Sequence, residues 1–180
     1  VRAWQNEDFV IADELIGEED GKLLRARGKV KTVIESRRAG EETATKEERS
    51  PIEVTANEMT FRRREQILRY TGTPVARQAG RSLRCEDLEL SLDENGEFER
   101  LTCRRQVVID DPLAGRSIRG DLAVYRPGVS QLEVSGRPAI MKDPAGSEIR
   151  GSVVVYDLEQ GTATVRSGAQ PGAASPGDSQ

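Results

Sequence analysis

Apolar residues along this chain alternate with polar ones at period two, and the helical spacing of three to four is not sustained anywhere. Five segments share one pattern: Val10 to Leu15, Val54 to Phe61, Leu83 to Leu90, Ile118 to Tyr125 and Ile149 to Tyr156. Each opens with an aliphatic residue, one spacer and a small residue. The small residues are Ala12, Ala56, Cys85, Gly120 and Gly151. Three positions later comes another apolar residue, and in the last four segments an aromatic residue or Leu stands two further on. The unit recurs at intervals of roughly thirty residues, lengthened once by a polar insert, as in a stacked repeat array.

Within a segment the apolar set changes phase. Leu83 and Cys85 share one parity, Leu88 and Leu90 the other. A flat strand would put these on opposite faces. A bulge or corner adds one residue and turns both pairs to the same side. The small residue stands just before the change, where a bend needs room. The pattern predicts a strand that turns one corner per repeat, in a sheet folded around an interior.

Turn signals follow the segments and include Glu19-Asp20-Gly21, Asn95-Gly96, Pro127-Gly128 and Gln160-Gly161. Then a second alternating stretch returns: Leu24 to Val30, Leu68 to Gly72, Leu101 to Cys103, Leu132 to Gly136 and the short Ala163 to Val165. The expected organisation is one all-β domain over residues 1–168, with a charged insert at 35–50 read as an exposed loop. Residues 169–180 form a Gly/Ala/Pro/Ser tail expected to be disordered.

Composition narrows the function. Net charge is −4 with both signs interspersed, which argues against nucleic-acid binding. No apolar run is long enough to span a membrane as a helix. The chain starts at Val1 without an apolar leader and reads as a mature or excised piece. There is no His, so the commonest general base and transition-metal ligand is missing. Gly17 to Leu23 resembles a phosphate-binding loop, but its spacing is one short and Leu23 stands where Ser or Thr is needed; a hairpin turn explains it. Asp110-Asp111 precedes Pro112 and reads as a turn rather than a carboxylate pair. Arg62-Arg63-Arg64 reads as a solvated turn, with lipid phosphate contact as the functional alternative. No catalytic, metal or cofactor site is expected, and the chain is expected not to be an enzyme.

The unit "aliphatic–x–Ala/Gly–Asp–x–apolar–x–Tyr", then a turn, then "Leu-x-Val-x-Gly", resembles the OstA-like repeat family of lipopolysaccharide-transport proteins (LptA, LptC and the N-terminal part of LptD). Ile118 to Gly136 and Ile149 to Gly168 match it best. Leu83 to Val107 departs at Cys85 and at Arg105, which stands where Gly is usual; Val10 to Val30 and Val54 to Val75 match more loosely. The resemblance covers about residues 9–168. It implies a twisted β-jellyroll of about five two-strand repeats, located in the periplasm, whose apolar groove holds lipid acyl chains. Leu83, Leu88, Leu90, Ile118, Tyr125, Leu132, Val134, Ile149 and Tyr156 are the expected lining.

The resemblance also implies lipopolysaccharide or a related lipid as ligand and head-to-tail strand pairing with other OstA-like proteins. Open homo-oligomers would follow from unguarded terminal edges. The strand around Gly161 to Arg166 offers a weakly protected edge, and that near Phe9-Val10-Ile11 one guarded by Glu7-Asp8. The competing reading is a scaffold module, packed solid inside and holding no lipid. Counting out from Asn95-Gly96 puts Cys85 and Cys103 nearly opposite on neighbouring strands, both inward. Two buried free thiols are favoured, because direct pairing strains a disulfide, although the implied periplasm would permit one.

Overall fold

The structure, a computed structural model, describes residues 1–5, 8–18, 21–35 and 50–167. The expectations for the tail at 169–180, for most of the insert and for Glu19-Asp20 therefore lie outside the described residues. Among the described residues fourteen antiparallel strands form one sheet. In chain order they are β1 (Arg2–Gln5), β2 (Asp8–Ile11), β3 (Glu14–Glu18), β4 (Leu23–Ile34), β5 (Ile52–Arg62), β6 (Ile67–Thr71), β7 (Val75–Gln78) and β8 (Arg81–Arg84). There follow β9 (Asp87–Leu92), β10 (Phe98–Asp111), β11 (Arg116–Arg126), β12 (Gln131–Lys142), β13 (Glu148–Asp157) and β14 (Thr162–Arg166). A 3-10 turn stands at Pro127–Val129, between two strands.

The sheet folds into two walls that meet along a line of corners. β4, β5, β10, β11, β12 and β13 run through the corner and contribute a half to each wall. Elsewhere the chain breaks at the corner, as between β8 and β9. Strand register shows where the bend lies. Pairing slips between Arg27 and Val30, Arg104 and Val107, Arg119 and Leu122, and Ser135 and Ala139. Each slip inserts residues on one strand, and the phase change expected from the sequence follows. Leu83, Cys85, Leu88 and Leu90 are all buried.

Because paired residues in antiparallel strands point the same way, the ladders trace the interior. On the first wall one inward row runs Val10, Thr32, Val54, Ala76, Leu83, Ile109, Ile118, Met141, Ile149. On the second wall, next to the corner, the row is Ala26, Met59, Tyr70, Leu88, Cys103, Ala123, Val134, Val154. Further out runs Leu24, Phe61, Leu68, Leu90, Leu101, Tyr125, Leu132, Tyr156. The free lips of the walls lie beyond these rows, opposite the corner.

The corners explain the small residues. A Cβ on Gly120 would stand 2.7 Å from the Ser135 carbonyl oxygen, so the neighbouring backbone leaves no room for a side chain. The polar residue that follows the small one ties the bend: the N–H groups of Asp13, Asn57 and Glu86 donate to the carbonyls of Gly28, Gly72 and Arg105, at 2.8, 3.2 and 3.1 Å. Each acceptor sits in the left-handed region, Gly72 at φ +76° and Arg105 at φ +63°. Arg105 thus adopts a glycine's backbone, and its guanidinium is held by Glu86 and Asp87.

Two expectations need correction. Cys85 and Cys103 are joined by a disulfide, with Cα atoms 5.9 Å apart. The strain argument fails because the two are not directly paired. Cys103 is opposite Leu88, and Cys85 lies across the corner. In the chain-entropy picture a bridge of this span contributes about 3 kcal/mol. The second correction concerns the N-terminal edge. Phe9-Val10-Ile11 is not outermost, because residues 2–5 fold back as β1 and pair along it, Ala3 opposite Val10. The alternation continues upstream of Asp8.

Gly72→Ala is expected to destabilise the protein by about 1–3 kcal/mol, since alanine disfavours that φ and its Cβ would stand 2.6 Å from the Asn57 Cβ. Urea denaturation checks this. A midpoint equal to that of the wild type would contradict the corner geometry.

Candidate functional site

The interior differs between the two halves of the chain. In the C-terminal half it is filled. Leu88, Leu90, Ile118 and Val134 are at most 1% exposed and pack against one another and their ladder neighbours. Leu83, Tyr125, Leu132 and Tyr156 border a cavity of only about 70 Å³. Ile149 ends the inward row of the first wall, but it is 41% exposed. β14 pairs with β13 over Val153 to Asp157, and among the described residues no strand covers β13 at Ile149. Of the nine residues expected to line a groove, four are thus packed core, four border a small cavity and one lies at an open end.

A polar cluster closes the lips of this half. Asp111 continues the inward phase of Ile109, and its side chain is 2% exposed. Its carboxylate accepts from Arg81 Nε at 2.9 Å, from the Ala114 backbone N–H at 3.1 Å and from the Tyr156 hydroxyl at 3.0 Å. Asp111 and Arg81 belong to the first wall and Tyr156 to the second, so the last bond crosses the interior. Arg116, paired with Asp111 on the first wall, reaches the Gly161 carbonyl beyond the second wall and stacks its guanidinium 5.5 Å from the Tyr156 ring centre. Asp110-Asp111 does end a strand before a turn, as the sequence suggested. What the sequence did not show was the partner set that makes Asp111 a latch.

Burial pushes the Asp111 carboxyl up, but the Arg81, Ala114 and Tyr156 hydrogen bonds and the Arg81 charge outweigh it and leave it below the usual carboxylate range. Tyr156 is raised, first by burial and then by its bond to the carboxylate.

The N-terminal half is open. A cavity of about 710 Å³ lies between the walls, with Val10 and Ile34 on one side and Leu24, Phe61 and Leu68 on the other. Its size is within the ~300–1,000 Å³ usual for small-molecule sites. Arg63, Gln66, Asn95 and Asp8 stand at its edge. In the triple-arginine turn Arg62 pairs with Glu65, while Arg63 borders the cavity. None of these five apolar residues was on the expected list, which drew on the three C-terminal repeats. The signal was the same small-residue phase change at Ala12 and Ala56, in repeats that match the pattern more loosely. One wall of the cavity also carries Thr32. The Thr32 and Tyr70 hydroxyls are both buried, and Thr32 is the polar neighbour of the Tyr70 phenol.

Among the described residues no group of acidic or cysteine side chains could hold a metal ion. No described helix is long and apolar enough to cross a membrane.

A folded-over antiparallel sheet of stacked hairpins with an apolar interior is a β-jellyroll. The chain belongs to the family described as LptA/(LptD N-terminal domain) LPS transport protein, whose family model matches residues 53–162. Its fold is similar to that of LptH, the LptA homologous periplasmic component of the lipopolysaccharide transport device from Pseudomonas aeruginosa. The two share 19% identity with a TM-score of 0.59, over 70% of this chain and 89% of that one. No curated protein sequence matches the chain.

Asp111→Asn is expected to cost about 2–4 kcal/mol at neutral pH by weakening the pair with Arg81. A depressed carboxyl contributes stability above its unfolded pKa, near 4, and loses it as pH falls through the lower folded value. The gap between wild type and variant should therefore close between about pH 5 and pH 2. Glu86 and Asp93 are also depressed, Glu86 chiefly by Arg105 and Asp93 chiefly by the Glu97 N–H, but they are common to both proteins and cancel. Thermal unfolding across pH measures it; a gap independent of pH would contradict the latch.

Proposed function

We propose that this chain holds the acyl chains of lipopolysaccharide, or of a related lipid, between its two walls in the N-terminal half. The observation that carries the reading is the cavity of about 710 Å³ bordered by Val10, Leu24, Ile34, Phe61 and Leu68. Acyl chains gain about 0.8 kcal/mol for each buried CH₂ and need no directional contacts, so an apolar cleft with a polar edge is sufficient. Arg63 at that edge suits an anionic head group. The packed, latched C-terminal half favours a structural role for that part, as the scaffold reading had it for the whole chain. It holds the walls at a fixed spacing while the other half stays open.

Location in the periplasm fits the Cys85–Cys103 disulfide, since such bonds persist in oxidising compartments. It also fits the periplasmic origin of LptH. Association end to end would use the outer strands. β1 and β3 bound the two walls at the N-terminal side, and β14 bounds the second wall at the other. Pairing of β14 with an N-terminal edge of another such protein would continue the walls from one protomer to the next.

Leu24→Trp tests the reading, because it places a larger apolar side chain in the cavity without burying charge. The expected result is an unchanged circular dichroism spectrum and melting temperature, with lipid retention reduced about tenfold or more in native mass spectrometry. A folded variant that retains lipid as the wild type does would contradict carriage in this cavity.

A further inference from the structure

The outer face of the second wall carries a concavity of its own. β4, β5 and β6 lie side by side there, and because Leu24, Phe61 and Leu68 point inward, the residues next to them point out. Register sets these in two rows, Arg25, Thr60 and Arg69 in one and Leu23, Arg62 and Ile67 in the other. The six border a cup of about 120 Å³. Arg25 and Arg69 flank Thr60 on its two sides, and Arg62 stands two residues along from Thr60 on the middle strand, diagonal to both. Each guanidinium is held by a carboxylate: Arg25 by Glu18 at 3.1 Å, Arg62 by Glu65 at 3.4 Å and Arg69 by Glu89 at 2.7 Å. None of these carboxylates borders the cup. Glu89 is shared with Arg104, 3.8 Å away, so four guanidiniums meet three carboxylates and one positive charge is left over. Like charges on neighbouring strands repel, so a cluster of this kind calls for a counter-charge at its centre.

We propose that this cup is a binding site for a phosphate group. A guanidinium has five N–H donors, and Arg25, Arg62 and Arg69 each spend one on a carboxylate, so most of their donors remain for a ligand. The carboxylates outside the cup hold the guanidiniums in place, which lowers the cost of ordering them when an anion arrives. The Thr60 hydroxyl between them adds a further donor. Three donor groups converging from three directions suit the oxygens of a tetrahedral anion, whereas a planar carboxylate is served by one bidentate fork. The cup is well below the ~300–1,000 Å³ of sites that enclose a whole small molecule, so it grips one group and leaves the rest outside. The sheet itself separates it from the interior. The phosphate therefore belongs to a molecule other than one lying between the walls, and the proposal does not depend on lipid carriage.

The test is a titration of the full chain with inorganic phosphate, followed by NMR of backbone amides and arginine side chains, against sodium chloride at equal ionic strength. Saturable shifts are expected at Arg25, Thr60, Arg62 and Arg69, with a Kd on the order of 1 mM. Arg27 is the internal control, because it is paired with Glu58 on the same outer face but does not border the cup. Arg62→Gln and Arg69→Gln should each weaken phosphate about five- to tenfold, and the double variant should lose the response while its circular dichroism stays that of the wild type. Shifts no larger than those with chloride, shifts shared equally by Arg27, or a response that survives in the double variant would overturn the proposal. Competition then distinguishes the source of the group. Displacement of phosphate by glucose 1-phosphate alone supports a water-soluble phosphate ester. Displacement by phosphatidylcholine vesicles containing phosphatidylglycerol supports a membrane head group. Displacement by neither would mark an adventitious ion only and overturn the site.

Discussion

Every strand that crosses from one wall to the other must reverse the parity of its inward residues, and the fold depends on how that reversal is made. A β-strand alternates faces strictly, so a continuous strand cannot present apolar residues to one interior on both sides of a bend. The corner solves this by inserting residues opposite a small residue. Gly120 shows the constraint at its tightest, with a neighbouring carbonyl where its Cβ would be. At Cys85 the corner instead carries a covalent tie to Cys103. The backbone hydrogen bonds from Asp13, Asn57 and Glu86 repeat the same closure along the line of bends. Once the corners are set, the inward rows on both walls follow from register alone.

The corners close one side of the folded sheet and leave the other side to the lips. There the halves of the chain diverge. In the C-terminal half a carboxylate from one wall accepts a hydrogen bond from a tyrosine of the other, with Arg81 balancing the charge. A buried ion pair of this kind contributes more to geometry than to net stability, because desolvation offsets much of the attraction. Its effect is to hold the walls together over a packed interior. In the N-terminal half the corresponding positions are apolar, Ile34 facing Leu24 and Phe61 across a cavity. The difference between a filled and an open interior thus comes from a few lip residues on a common scaffold.

Much of the fold was legible in the sequence. Alternation, Gly-centred turns and the phase change after Ala56, Cys85 and Gly120 report backbone geometry directly, so strands and corners could be read from single positions. Arg105 was visible as an oddity at a glycine position, and its left-handed φ explains why. The site was less legible. Alternation marks a residue as inward but does not say whether the facing wall touches it. Leu90 and Leu68 are ladder neighbours on the same row; Leu68 borders the large cavity and Leu90 is packed solid. The latch was hidden for a related reason. Asp111 looks like any acidic residue before a proline, and its partners Arg81 and Tyr156 are distant in sequence. The disulfide was misjudged because the corner offset, though implied by the phase change, was not carried into the cysteine register.

The central claim is that lipid lies against the inward rows of the N-terminal half. Photocrosslinking at neighbouring positions tests it most directly, because parity separates the inside from the outside by one residue. A photoreactive residue placed in turn at Leu24, Phe61 and Leu68 should capture lipopolysaccharide, and at Arg25, Thr60 and Arg69 should not. Capture that ignores this alternation, or that favours the outward positions, would contradict the account.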